Sequence, residues 1–358
     1  MADLAGNLPS PVDADDARDE GPAGEAAQLA EWGARIFGGQ RAVEWPVEES
    51  SVLGERNGVM AWIEYGLARG SVRTLNALPG PLRRWGVGAL ARFARLVTPR
   101  RGAVAHTFIS AAYPELTARE RKRWILAAWK HLIHITQASE EIEKRLLGKP
   151  LAEHFDLEIS PDARRLFNDK AGCLLVTGHL GHWELAPGVL SALAEQPLYV
   201  VGKAPKNRPL SKRIQHMREA LGVRVLPRRG AMRSIPTVLR GNGQVAMLLD
   251  QRAHLKPIIA PFFGRPACCD RSAAVLIRRL KVPIAIGCCF ATETPWRFRV
   301  VVDRVIQPEE LENARAEQVI TLVNEEIERL IRRHPEQYFW LHDRFRDAPL
   351  PGDKPAVG

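Results

Sequence analysis

The sequence predicts an α/β fold: a three-layer domain with a mostly parallel central sheet flanked by helices, preceded by an N-terminal helical segment. From about residue 170, short apolar runs of strand length alternate with stretches of helix length, the pattern of a three-layer α/β domain. Residues 58–150 instead show helical periodicity, interrupted at Pro79-Gly80, Pro99 and Pro114. The chain has 358 residues and 46% hydrophobic residues, enough to bury a substantial core in one large domain or two modest ones.

The α/β part divides into strands and helices that follow one another along the chain. The predicted strands are residues 173–177, 198–201, 224–226, 245–249, 283–290 and 298–302. The predicted helices are residues 184–195, 211–221, 232–240 and 271–280, and a last helix covers residues 309–333. Strands alternating with helices of this length favour parallel pairing.

Charge separates the chain into two unlike parts. The whole chain has 51 Lys and Arg against 41 Asp and Glu, a net charge of +10. Residues 1–50 contain three arginines and eleven acidic residues, so the remainder has 48 basic and 30 acidic residues, a surplus of 18 positive charges. The first part is poor in large apolar residues and is predicted to be a flexible acidic leader. The basic remainder is expected to meet an anionic partner.

These patterns divide the chain into four segments. We expect an acidic flexible leader at 1–50, a helical and membrane-associating segment at 51–150, an α/β core at 151–347 and a tail at 348–358. No window reaches the roughly 18 apolar residues of a spanning helix, and the leader lacks the pattern of a secretory signal peptide. Five cysteines without a CxxC pair favour buried reduced thiols over disulfides or zinc.

Residues 82–97 form a basic amphipathic segment in the helical part. Its apolar residues recur at steps of three and four, arginines stand between them, and Trp85 and Phe93 lie on the apolar side. Such a helix suits the headgroup layer of an anionic membrane. Periodicity alone fits equally well a surface helix that packs on the protein's own core. Further on, Thr117 with Glu120 forms a capping box that opens the next helix.

His179 is the first candidate for chemistry. It directly follows the strand 173–177, at the carboxyl edge of the sheet, where open α/β sheets hold ligands. Glu184, in the first turn of the next helix, is expected to hold one imidazole nitrogen and leave the other free to accept a proton from an alcohol. A turn histidine and a helix-initial acid without catalytic role fit the same spacing. Metal ligation by His179, His182 and Glu184 matches no established spacing.

A dense basic segment follows. Between residues 203 and 233 a single acid, Glu219, accompanies ten basic residues: Lys203, Lys206, Arg208, Lys212, Arg213, Arg218, Arg224, Arg228, Arg229 and Arg233. Such a segment is expected to bind phosphate or carboxylate groups. It contains almost no aromatic residues and no nucleic-acid-binding signature, so nucleic acid is not the expected partner.

Two further motifs lie after this segment. Asp250 and Gln251 end the strand 245–249, again at the carboxyl edge. Phe262 and Phe263 precede Gly264 and Arg265 in the run APFFGRPA, where two aromatic rings before a glycine turn are expected either to wall an apolar slot or to lie in the core.

The order of these motifs resembles the lipid A biosynthesis acyltransferases, the lauroyl and myristoyl transferase family, with the bacterial lysophospholipid-acyltransferase-like fold. The resemblance rests on GHLGHWEL around His179, the segment 203–222, Asp250-Gln251, PFFGRPA and the closing PEQYFWLHDRF at 335–345. It covers residues 58–347. Relatives commonly have asparagine at the position of His182.

The resemblance implies transfer of a fatty acyl chain from a thioester, usually acyl carrier protein, to a hydroxyl of a lipid A precursor. It implies no metal and no organic cofactor, and a peripheral place at the cytoplasmic face of the inner membrane. His179 would be the general base, Glu184 its orienting partner and Arg218 a charge for the oxyanion. The expected substrate contacts are Lys203, Lys206, Asn207, Arg208, Arg218, Asp250, Gln251, Phe262, Phe263 and Arg265.

Two alternatives stay open at this point. The acceptor could be a different phospholipid or glycolipid, since the wider family also acylates mannosylated phosphatidylinositol. The chain could also be a lipid-binding protein that has kept the fold and basic groove without turnover. Loss of acyl transfer in a His179→Ala variant separates the enzyme from the binding protein.

Overall fold

A computed structural model describes residues 52–196 and 198–348 of the chain. The predicted leader at 1–50 and all but the first residue of the predicted tail lie outside these residues. Within them the chain forms eleven α-helices and nine β-strands.

The N-terminal part is helical, as predicted. It consists of α1 (Val59–Ala77), α2 (Gly80–Val97), α3 (Pro99–Ala112) and α4 (Ala118–Leu146). The capping box at the start of α4 is confirmed: the Glu120 backbone N–H donates to the Thr117 hydroxyl, and the Thr117 N–H donates to the Glu120 carboxylate at 2.7 Å. These paired bonds satisfy backbone donors that a helix start leaves free.

The α/β part follows without a break. Its elements are α5 (Leu151–His154), β1 (Phe155–Ile159), α6 (Pro161–Asn168), β2 (Cys173–Thr177), α7 (Ala186–Leu193), β3 (Leu198–Gly202), α8 (Arg208–Ala220), β4 (Val223–Pro227), α9 (Ala231–Arg240), β5 (Gln244–Leu248), β6 (Ile258–Phe262), β7 (Arg265–Cys269), α10 (Arg271–Leu280), β8 (Ile284–Ala291), β9 (Phe298–Ile306) and α11 (Ala316–Arg333). Short 3₁₀ turns cover Pro308–Leu311 and Pro335–Gln337.

Seven strands form the central sheet in the order β1-β9-β8-β2-β5-β3-β4. All neighbouring pairs are parallel except β8 with β9, which is antiparallel. β2 therefore lies between β8 and β5, and the residues that follow β2 and β5 meet at one edge of the sheet. β6 and β7 form a separate antiparallel hairpin.

The two faces of the sheet are each covered by a layer of helices, which confirms the predicted three layers. Alternate residues of β2 point to opposite sides: Leu174 and Val176 join one buried cluster, and Cys173 and Leu175 join the other. The first cluster includes side chains of α3, α4, α9, α10 and α11, and the second includes α6, α7 and α8. All five cysteines are buried and unpaired, as expected.

An aromatic cluster holds the C-terminal segment against α3. The Phe108 ring contacts the rings of Trp340 at 4.8 Å and Phe345 at 4.9 Å, both edge to face. Phe262 and Phe263 belong to the same cluster and are buried. Of the two placements open for these residues, their burial and their contacts with Phe108 favour the core.

Several elements differ from those predicted. β1, α6 and the β6–β7 hairpin were not anticipated, and the predicted helix 309–333 is divided into a 3₁₀ turn and α11. The division has a local cause, because the Arg315 backbone N–H donates to the Gln318 side chain at 2.8 Å and starts a new helix there.

The helix α2 exposes its large apolar residues. It buries only Val87, Gly88 and Ala91, while Trp85 is 74% exposed and Phe93 is 60% exposed. Within the part of the chain that the structure describes, the large side chains of this helix therefore do not pack on the core, and its buried face consists of small residues and Val87. Among the described residues, no helix combines the length and the apolar character needed to cross a bilayer.

Candidate active site

His179 lies at the carboxyl edge of the sheet, as predicted, in the 178–184 turn between β2 and α7. Its ring Nδ1 is 2.8 Å from Oδ1 of Asp250, and its backbone N–H donates to Oδ2 of the same carboxylate at 2.8 Å. Asp250 stands two residues after β5, the parallel neighbour of β2. One buried carboxylate therefore holds both the ring and the backbone of His179.

The close approach of these two residues needs the glycine that precedes His179. A Cβ built on Gly178 would lie 3.1 Å from Cγ of Asp250. A side chain at position 178 would therefore require the Asp250 carboxylate to shift by a few tenths of an ångström.

The Asp250 carboxylate fixes the tautomer of His179. Since an ionised carboxylate only accepts hydrogen bonds, Nδ1 carries the proton and donates it to Oδ1. The other nitrogen, Nε2, accepts a hydrogen bond from the Gln251 amide at 3.1 Å, on the exposed side of the ring. Nε2 is thus the nitrogen available to an incoming hydroxyl.

Electrostatics support the same picture. Burial alone would lower the pKa of His179, but the Asp250 carboxylate and, more weakly, Glu184 raise it above its usual value. Burial raises the pKa of Asp250, yet its charge and hydrogen-bond interactions with His179 bring it below the usual range. Asp250 is therefore ionised and stabilises a positive charge on the imidazole.

Glu184 does not hold His179 as expected. Its carboxylate accepts two hydrogen bonds from Arg218 on α8, from Nε at 2.9 Å and from Nη2 at 2.8 Å. Burial raises the pKa of Glu184, while Arg218 and then the nearby histidines lower it below its usual value. The expected orienting contact is thus made by Asp250, and Glu184 contributes to His179 through its charge. The guanidinium of Arg218 is bound in a bidentate ion pair.

The closing motif at 335–345 supplies the rest of the support. The Phe339 backbone N–H donates to the His179 carbonyl at 3.0 Å. Burial, together with the negative charge of Asp250, raises the pKa of Tyr338 well above its usual value. The ring of Phe339 lies 6.2 Å from the His179 ring. This segment therefore packs against both members of the His179–Asp250 pair.

Arg344 holds the loop that follows Asp250. It is 1% exposed and donates from Nη1 to the carbonyls of Gln251 and Cys268, both at 2.8 Å. Its charge also helps to lower the pKa of Asp250. Neither Tyr338 nor Arg344 was singled out from the sequence, although both stand in the motif that carries the resemblance.

The expected substrate contacts fall into different places. Lys203 and Lys206 are exposed in the connection between β3 and α8, and Arg208 is half-buried at the start of α8. Asn207 is buried: its side-chain oxygen accepts from the Leu210 N–H at 3.0 Å, and its amide donates to the Ala61 carbonyl at 2.8 Å. Asn207 therefore caps α8 and joins it to α1, so its polar atoms are used within the protein.

The remaining expected contacts lie closer to the C-terminal segment. The guanidinium of Arg265 stands over the Phe345 ring, 4.6 Å from its centroid. Asp250 and Gln251, expected as substrate contacts, both touch His179 instead. Within residues 52–196 and 198–348, no group of three or more His, Cys, Asp or Glu side chains is placed to hold a metal ion.

The fold and site together define an α/β protein with a carboxylate-held histidine at the edge of its sheet. The family model of the bacterial lipid A biosynthesis acyltransferases matches residues 57–347, and the chain belongs to this family. It is therefore an acyltransferase of lipid A biosynthesis.

Two curated relatives are similar over most of the chain. The lipid A biosynthesis palmitoleoyltransferase of Escherichia coli strain K12 is 24% identical over 268 residues, which cover 74% of this chain and 84% of the relative. The lipid A biosynthesis acyltransferase of Shigella flexneri shows the same identity and coverage.

Proposed function

We propose that the chain transfers a fatty acyl group from acyl carrier protein to a hydroxyl of a lipid A precursor, with His179 as general base. The observation that carries this proposal is the contact between His179 Nδ1 and Asp250, which leaves Nε2 directed away from the buried carboxylate. An imidazole held in this way accepts a proton at Nε2 while the carboxylate stabilises the imidazolium.

The reaction needs only one proton carrier. Nε2 of His179 removes the proton of the acceptor hydroxyl as its oxygen attacks the thioester carbonyl carbon. The C–S bond then breaks, the thiolate takes the proton back from the imidazolium, and the ester is released. The carbonyl oxygen carries negative charge in the intermediate, and a fixed positive group lowers the barrier. Arg218, held by Glu184, is the candidate for that group.

The charge of the chain suits both substrates. Residues 51–358 carry a surplus of 18 positive charges, while a phosphorylated glycolipid and acyl carrier protein are acidic. Lys203, Lys206 and Arg208 lie beyond β3, which is two strands from β2 on the same side as Asp250. We assign them to the anionic part of the substrates.

We place the reaction at the cytoplasmic face of the inner membrane, with the protein bound peripherally. The support is the apolar surface of α1 and α2, hereafter the α1–α2 face, defined by Val59, Met60, Trp62, Ile63, Leu67, Leu82, Trp85, Leu90, Phe93, Leu96 and Val97, all exposed. Arginines of α2 stand beside these side chains. Exposed apolar residues next to arginines are the pattern of a helix in the headgroup layer.

A His179→Ala variant tests the catalytic proposal. The assay follows acyl transfer from acyl carrier protein to an under-acylated lipid A precursor by mass spectrometry, and transfer is expected to fall by about 100-fold or more. The matched control is His216→Ala, because the His216 side chain is 71% exposed on α8. Transfer unchanged in His179→Ala would eliminate the proposed base. Binding of lipid without transfer in the wild-type chain would instead identify a lipid-binding protein.

A further inference from the structure

A cavity lies beside the 178–184 turn. It has a volume of about 760 Å³ and is lined by α2, α4, the connection between β8 and β9, and residues 334–337. His182 lines it, whereas His179 does not. The 178–184 turn therefore places one imidazole against Asp250 and another, with its ring nitrogens buried, in the wall of this cavity.

Unpaired positive charge surrounds this cavity. Arg83 and Arg84 on α2, Lys130 on α4 and Arg299 on β9 all line it, and none makes an ion pair with a carboxylate of the described residues. A solvated surface normally mixes charges of both signs. The excess of cations at a concave site indicates that an anion is the missing partner.

The acidic side chains at the cavity do not balance this charge. Glu141 is bound to Arg145 at 2.6 Å, and Glu336 lies 3.2 Å from the His334 ring. Among the described residues, Glu293 has no ion-pair partner, and the only partner of Glu336 is a histidine ring, which carries charge only when it is protonated. Four cations without an ion-pair partner, against two carboxylates without a permanently charged one, leave a positive surplus.

His182 is a buried polar group without a partner. It is 2% exposed, and neither ring nitrogen has a hydrogen-bond partner among the described residues. A buried polar group left without a partner is unfavourable, because it has lost its hydrogen bonds to water without replacing them. Burial lowers the pKa of His182 to about 4, so the ring is neutral and offers one N–H donor.

The walls of the cavity are also partly apolar. Ile135, Phe290, Trp296 and Phe298 line it together with the cations, and Phe298 contacts the His182 ring at 5.6 Å. Arg83 and Arg84 stand between Leu82 and Trp85 of the α1–α2 face. The cavity thus begins next to the surface that we assign to the membrane.

We infer that this cavity binds the phosphate-bearing headgroup of a lipid, with Arg83, Arg84, Lys130 and Arg299 contacting the phosphate oxygens and His182 donating a hydrogen bond. The inference rests on the proposed function, since it assigns one headgroup of the lipid substrate to a site separate from His179. A phosphate there satisfies the free cations and the orphaned imidazole together.

The test uses the full chain carrying His179→Ala, so that binding is measured without turnover. Isothermal titration calorimetry with dihexanoyl phosphatidic acid compares Arg83→Gln/Arg299→Gln with the control Arg278→Gln/Arg279→Gln, which removes the same charge from exposed positions on α10. We expect the cavity variant to lose about 10-fold or more in affinity, and the control to bind as the parent does. Equal affinities of the two variants would overturn the inference.

His182 is tested separately. His182→Asn keeps an amide donor and is expected to retain most of the affinity, whereas His182→Phe keeps a ring without a donor and is expected to lose it. Because these variants can affect folding, the ¹⁵N resonances of the His182 ring are also followed in the parent chain. A ring that does not respond at saturating ligand would contradict the assignment.

Inorganic phosphate alone distinguishes the source of the phosphate. A lipid headgroup site is expected to bind dihexanoyl phosphatidic acid more tightly than inorganic phosphate, because the apolar walls bury part of the chains. Equal affinity for both would show a site for free phosphate and overturn the lipid assignment. Binding retained in His179→Ala while transfer is lost keeps this inference distinct from the catalytic proposal.

Discussion

Nδ1 of His179 and Oδ1 of Asp250 lie 2.8 Å apart, and the other carboxylate oxygen accepts the His179 backbone N–H at 2.8 Å. Two contacts from one buried group leave the imidazole a single orientation. The free nitrogen, Nε2, then faces the exposed side of the site, next to Gln251. The position of the proposed base is thus set by a residue that follows a neighbouring strand.

Asp250→Asn tests this arrangement. An amide has the same shape but can donate to Nδ1, which favours the wrong tautomer and removes the negative charge that stabilises the imidazolium. We expect kcat for acyl transfer to fall by about 100- to 10,000-fold with little change in KM. The control is Asp169→Asn, an exposed residue at the end of α6. An unchanged kcat in Asp250→Asn would show that the carboxylate has no part in the reaction.

The pH dependence of transfer follows from the shifted pKa of His179. Burial lowers this pKa, and Asp250 and Glu184 raise it overall, above the usual histidine value. Nε2 must be unprotonated to act as a base, so kcat/KM is expected to increase with pH through the raised pKa. Asp250→Asn removes the main raising influence and is expected to move this limb to lower pH. If the pH at which kcat/KM increases is the same in Asp250→Asn as in the wild-type chain, Asp250 does not raise the pKa of His179.

The raised pKa of His179 affects stability in the opposite direction: the stability that His179 contributes decreases as pH increases. A histidine whose pKa is raised by folding contributes stability below its unfolded pKa, and this contribution is lost as pH increases through the folded value. The stability difference between the wild-type chain and His179→Gln, measured by urea unfolding, is therefore expected to shrink as pH rises past that point. A difference that grows with pH would contradict the assigned direction.

The Glu184–Arg218 pair is expected to stabilise the fold around the site. Their side chains are about one-fifth exposed, and removing one partner leaves a largely desolvated charge. Glu184→Gln is expected to lower the free energy of unfolding by about 1–3 kcal/mol, and adding Arg218→Gln to restore part of it. The exposed pair Lys170–Glu195, 51% exposed at each side chain, is the control and should show a coupling near zero. Equal coupling in both pairs would contradict this role.

The α1–α2 face is tested by vesicle binding. Trp85→Ala/Phe93→Ala is expected to reduce sedimentation with anionic vesicles by roughly 10-fold or more, because two large apolar side chains no longer enter the acyl boundary. The unfolding free energy should change by less than about 1 kcal/mol, since both residues are exposed. Leu255→Ala, at a side chain 87% exposed outside this face, is the control. Unchanged vesicle binding in the double variant would contradict the assignment of the α1–α2 face to the membrane surface.

The sequence was sufficient to predict the layers and the place of His179. Strand and helix lengths alternate visibly, and a residue that follows a strand must lie at the sheet edge. The partner of His179 could not be predicted in the same way. The alternation of strands and helices along the chain does not determine which strands are neighbours in the sheet. Asp250 is 71 positions away along the chain, and only the pairing of β2 with β5 makes them neighbours.

Local chemistry explains the other differences. Asn207 was expected to contact substrate because the family resemblance includes its segment. Asparagine before a helix is also a capping residue, and capping is what the structure shows. Phe262 was a candidate for a pocket wall, but its place in β6, packed against α3, makes it core. A motif identifies such residues without saying whether they face a ligand or the interior.

The separation of His179 and Asp250 along the chain also bears on synthesis. A chain that has not yet reached β5 has the histidine but nothing to orient it, and closing so long a loop is slow relative to local helix formation. A truncated or nascent product that ends before Asp250 is therefore expected to show no acyl transfer, because the proposed base is oriented only once the centre of the sheet is assembled.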